Sequence, residues 1–145
     1  MPAPDRLACA RRRLEIIRVA AVLSALGVWT IVVPYLGRTL GLEVNVARRV
    51  ELVDHVVPGA VVAGVGAYLA VRAAHRAASG WPMIAGGSAC FLAGFWVLAT
   101  HVPLVADAAA GRAAWGAALW HASTAVPIVA LSLWLVLQPS FSDER

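Results

Sequence analysis

The stretch Val50–Ala74 reads VELVDHVVPGAVVAGVGAYLAVRAA. From Leu52 onward it is long enough to cross a hydrocarbon core as one α-helix, which takes about 20 apolar residues. Asp54 and His55 sit at one mouth of the run and Arg72 at the other, and no charged side chain lies between them. Three more stretches of the same character flank it: Ile16–Leu36, Pro82–Val105 and Ala114–Leu137. The spacing predicts an all-α chain, an integral membrane four-helix bundle built from two parallel helical-hairpin repeats, because backbone facing lipid must satisfy its own hydrogen bonds.

Composition points the same way. Of 145 residues, 61% are hydrophobic and 14% charged, which leaves too little polar surface for an ordinary soluble domain. One domain over residues 1–145 is expected, with tails at 1–15 and 138–145. Arg11, Arg12 and Arg13 precede the first span in the manner of a signal peptide, but SALGVWTIVVPYLG is too long and offers no small-residue cleavage site. Cys9 and Cys90 form no Cys-x-x-Cys motif and lie too far apart to pair, which disfavours a thiol oxidoreductase.

All twelve basic residues are arginine. In a four-span arrangement Arg6, Arg11, Arg12, Arg13, Arg18, Arg72, Arg76 and Arg145 fall on one side, and Arg38, Arg48, Arg49 and Arg112 on the other. By the positive-inside rule both termini and the Arg72–Gly80 connection face the cytoplasm of an inner membrane, and Arg38–Arg49 and Asp107–Arg112 face outward. These arginines flank spans and form no separate basic domain, so the partner they imply is the lipid bilayer, and no nucleic acid is expected.

The two halves of the chain echo each other. LGVW at Leu26–Trp29 returns as AGFW at Ala93–Trp96, and the His55, Tyr68, Leu69 spacing returns as His121, Trp134, Leu135. Two hairpins entering the membrane in the same direction are related by a pseudo-twofold axis along its normal. On the strength of GVWTIVVPYLG, VDHVVPGAVVAG and LWHASTAVPIVA, the chain resembles the SPW-repeat membrane proteins, whose unit is a two-helix hairpin with a Ser-Pro-Trp motif late in its first helix. Here the motif reads Val33-Pro34-Tyr35, and the second copy has His101 and a displaced Pro103. The resemblance implies architecture and brings no activity with it.

Proline and small residues predict local detail. Pro34 and Pro103 should end or bend the first and third helices, Pro58 is tolerated in the first turn of the second, and Pro127 should kink the fourth by freeing the Ser123 carbonyl. Small residues at Ala60, Gly64, Gly66, Gly86, Gly87, Ala89, Ala93, Gly94 and Gly116–Ala118 suit close helix contact, with Gly64 and Gly94 facing neighbouring helices, and the same faces suit a homodimer. Trp81, Trp115 and Trp120 fit interfacial belts, whereas Trp29 and Trp96 are expected to fill equivalent places inside the bundle.

The chemical signal is histidine. His55, His101 and His121 gather toward the outer leaflet, with His75 alone on the inner side. Ionisable groups in spans are costly and are candidates for function, and neutral imidazole is the commonest metal ligand. A structural or interaction role without enzymatic activity leads, the imidazoles serving as interhelical hydrogen-bonding groups. The competing expectation is a small redox or metal-binding protein in which His55 and His121, with His101 as a third candidate, hold haem b or a transition metal, and Glu51, Asp54 and Asp107 orient the rings or add oxygen ligands. Asp54 stands beside His55 but Trp120 beside His121, so the two rings would not share surroundings. No carboxylate lies near the midplane of any span, and no serine nucleophile motif or phosphate loop is present, which leaves an ion-coupled transporter, hydrolase or transferase without support.

Overall fold

The computed structural model describes residues 3–42, 48–75 and 80–138. Among the described residues every regular element is helical: α1 (Ala3–Thr39), α2 (Arg48–Glu51), a π-helical turn (Leu52–Val56), α3 (Val57–His75), α4 (Trp81–Ala109), α5 (Trp115–Ala122) and α6 (Ala125–Val136). They compose four rods, Arg6–Thr39, Arg49–His75, Trp81–Ala109 and Trp115–Val136, each long and apolar enough to cross a membrane. The rods run beyond the apolar stretches that define them, since α1 starts at Ala3 and α4 continues to Ala109.

Each rod buries one narrow seam. In α1 the seam is Ile16, Ala20, Leu23, Gly27 and Thr30, in α3 Val62, Gly66, Leu69 and Ala73, in α4 Met83, Gly87, Cys90, Gly94 and Val97, and in α6 Ala125, Ile128, Ser132 and Leu135. The alternating steps of three and four are the 3.5-residue repeat of left-handed helix packing. α1 packs chiefly on α3, α4 on α5 and α6, and α3 on α4.

Glycine permits these crossings. A Cβ on Gly27 would run into the Ala63 backbone nitrogen and lie 2.7 Å from the Gly59 carbonyl oxygen, and one on Gly66 would lie 2.6 Å from the Ser24 nitrogen and 2.8 Å from the Ala20 oxygen. In the other half, Gly94 meets Ile128 at 2.6 Å and Gly87 meets the Ser132 oxygen at 3.2 Å. Ser24 adds a hydrogen bond from its hydroxyl to the Ala63 carbonyl at 3.0 Å. Gly64 differs from expectation: nothing lies within 4 Å of its Cβ position, because it sits on the outer face of α3, between the seam residues Val62 and Gly66.

Proline alters the rods locally. α1 passes through Pro34 and α4 through Pro103 without ending, each losing a single backbone donor near the rod's end. Pro58 has no N–H to give the Asp54 carbonyl and its ring crowds that oxygen, so the turn above it widens: Val57 N–H donates to Leu52 O, five residues back. Pro127 acts as expected, and the fourth rod is interrupted at Ser123–Thr124, between α5 and α6. Trp29 and Trp96 do not fill the bundle; they are 41% and 49% exposed on its outside.

The ends are tied by polar contacts. Arg13 Nε donates to the Ala73 carbonyl at 2.6 Å, and its Nη2 donates to the Ala74 carbonyl, so a guanidinium closes the C-terminus of α3 where the helix dipole favours a cation. At the opposite end Arg112 donates to Asp107 at 2.6 and 3.0 Å across the α4–α5 turn, which also needs Gly111 at φ +72°.

Candidate metal centre

Seam geometry assembles the site. His55, His101 and His121 each extend the buried stripe of their own rod by one step toward the same end of the bundle, so three rods present an imidazole to one layer. His55 is carried by the π-helical turn, His101 by α4 two turns before its end, and His121 by the last turn of α5. All three are buried, with exposures of 3%, 7% and 3%. One ring nitrogen from each lies within 4.8 Å of the others, and no cysteine, aspartate or glutamate among the described residues joins the group. His75 is exposed at the other end, and Asp54 is only partly buried.

The rings make specific contacts. His121 Nδ1 and His55 Nε2 are 3.3 Å apart. The His55 ring stands edge-on to both neighbours, with centroids 4.9 Å from His101 and 5.2 Å from His121, and His101 and His121 lie nearly parallel at 6.0 Å. His101 Nδ1 is 2.7 Å from the Val97 carbonyl of its own helix. A carbonyl only accepts, so Nδ1 carries the proton and Nε2 offers a lone pair. The Thr100 hydroxyl flanks that nitrogen at 3.2 Å and also donates to Val97 O.

Hydrogen-bond accounting leaves a remainder. His55 Nδ1 and His121 Nε2 are buried without partners. If the 3.3 Å contact is a hydrogen bond, either direction of donation leaves one buried lone pair and one buried N–H unsatisfied. Such groups are rare in native interiors and ask for a ligand. The Leu42 main chain stands beside the His121 ring without completing a hydrogen bond of normal geometry.

A second polar tie holds the first rod beside this layer. Trp120 Nε1 donates to the Val33 carbonyl at 3.0 Å, and its ring meets Trp29 edge-to-face at 5.8 Å. Trp120, which the sequence marks only as an interfacial aromatic, thereby locks α5 to α1 next to His121. Its signal was invisible because the acceptor is a backbone carbonyl. Val97 and Thr100, which orient His101, were legible only as the residues four and one before it.

Comparison with family models, with curated proteins and with solved structures finds no match.

Proposed function

We propose that the chain is a four-span protein of the cytoplasmic membrane that binds one transition-metal ion at the outward end of its bundle, through His55, His101 and His121. The observation that carries the reading is the convergence of three buried imidazoles from three rods, with one ring nitrogen of each within 4.8 Å of the others. The 3.3 Å separation of His121 Nδ1 and His55 Nε2 is close to the edge of a tetrahedron of metal–imidazole bonds, roughly 3.3–3.4 Å for bonds of 2.0–2.1 Å. In a metallated site both those nitrogens hold lone pairs, and His55 Nδ1 and His121 Nε2 carry the protons.

The same separation speaks against haem. Two axial imidazoles stand about 4 Å apart across an iron, with a macrocycle between them. Here the two rings touch.

A membrane setting is supported by what the bundle leaves outside. Leu92, Val126, Val71 and Phe95 are among the large apolar side chains more than half exposed, on rods whose polar groups gather at the ends. A surface of this kind is not compatible with water. The two-hairpin repeat is supported by the crossings: Gly27 against Ala63 corresponds to Gly94 against Val129, and Ala20 against Gly66 to Gly87 against Ser132, at a sequence offset of 67 in the first helices and 66 in the second, the latter also relating His55 to His121. On the arginine count, the histidine layer faces outward and the N-terminus inward. Cys9 is exposed and so serves as a reporter. In intact cells a membrane-impermeant maleimide should leave Cys9 unmodified and label Ala110→Cys; labelling in the reverse pattern overturns the orientation.

A structural reading also has an observation in its favour, since the His121–His55 contact and the His101–Val97 hydrogen bond link or order three rods without any ion. Metal analysis separates the two. Protein purified with a histidine-free tag and incubated with transition metals should retain one ion per chain, and His55→Ala, His101→Ala and His121→Ala should each lose it. Retention in all three variants, or none in the wild type, sinks the metal reading.

A further inference from the structure

Metal sites differ in how they neutralise the ion, and among the described residues this one offers no anionic ligand. The three donors are neutral imidazoles, and no carboxylate or thiolate among the described residues belongs to the group. Cys90, on the same helix as His101, lies eleven residues away, about 16 Å along the axis. The Thr100 hydroxyl is already committed to the Val97 carbonyl. A divalent ion would therefore keep its whole double charge in a buried, low-dielectric layer.

The electrostatic cost decides between ions. The self-energy of an ion scales with the square of its charge, so a monovalent ion of similar radius pays about a quarter of the desolvation penalty of a divalent one. Zinc also asks for four ligands and completes three histidines with water or hydroxide. That fourth ligand would have to be ordered where no further protein donor is offered. Copper in its +1 state has a filled d shell, is stable with two or three ligands, and accepts imidazole.

Resting on the metal reading above, we infer that the His55–His101–His121 site is a three-coordinate Cu(I) site that discriminates against divalent zinc by withholding negative charge. Its three nitrogens come from three different rods, so the ion also joins the two hairpins: His55 belongs to the first, and His101 and His121 to the second. The missing carboxylate is then part of the selectivity. Adding one should weaken it.

The test is a pair of affinity measurements on the full chain in detergent micelles. Cu(I) is presented anaerobically with ascorbate and bicinchoninate as competitor, and Zn(II) with a chromophoric chelator. The wild type should bind one Cu(I) per chain with a Kd at least about 100-fold below that for Zn(II). X-ray absorption of the copper form should show three nitrogen ligands and no water oxygen. His101→Glu, which supplies an anionic oxygen in place of one imidazole, should narrow the ratio by at least about tenfold. Zn(II) bound as tightly as Cu(I), or an unchanged ratio in a folded His101→Glu variant, overturns the Cu(I) assignment while leaving the metal site standing. Failure of the wild type to bind either ion above the His121→Ala background removes both.

Discussion

Gly27→Leu is expected to lower the stability of the bundle by more than about 3 kcal/mol, beyond the usual range for overpacking. The reason is what the new side chain meets. Its Cβ would press on the Ala63 backbone nitrogen and the Gly59 carbonyl oxygen, and a backbone cannot step aside by changing rotamer. The α1–α3 crossing must open, and the Ser24 hydrogen bond to Ala63 opens with it. Gly64→Leu, on the same pair of rods, places its Cβ in open space and should change stability by less than about 0.5 kcal/mol. Titration of folded protein in mixed micelles with denaturing detergent measures both. Equal effects would mean that the crossing at Gly27 is not the contact described.

Metal should stabilise the folded chain by about 2.7 kcal/mol when its free concentration is a hundred times its Kd, because an ion that binds only the folded state adds its binding free energy to stability. His121→Ala should abolish that increment. In metal-free protein the same substitution removes the contact to His55 Nε2 and the packing of the ring against His55 and His101, a cost that does not depend on metal. The two readings of the cluster thus predict opposite patterns. If the histidines are purely structural, adding and chelating metal leaves the unfolding midpoint unmoved, and the whole effect of His121→Ala appears without metal.

Much of this architecture was legible. Runs such as Leu52–Ala74 give the helices directly, and Pro127 marks the interruption of the fourth rod because a missing donor is a local fact. Histidine clustering was legible too, as three residues placed at one end by span count alone. What was hidden depends on rotation about each helix axis. Gly64 and Gly66 look alike in sequence, yet one lies on the outer face and the other faces α1 so closely that an added Cβ would stand 2.6 Å from the Ser24 nitrogen. Trp29 and Trp120 touch each other, but of the two only Trp120 reaches a backbone acceptor, the Val33 carbonyl. The hydrophobic stripe that resolves such choices in a soluble helix is absent here, because the outward face is as apolar as the inward one.

Rotation also gives the widened turn at Leu52–Val56 a meaning beyond its cause. A helix that takes in one additional residue shifts every side chain above the insertion by about 100° relative to those below it. Val57 and the residues after it keep the α1 crossing, and His55, inside the turn itself, stays on the buried seam four residues before Gly59. The widened turn is therefore the place where a one-residue change would move the imidazole while leaving the α1–α3 crossing at Gly27 and Gly66 untouched.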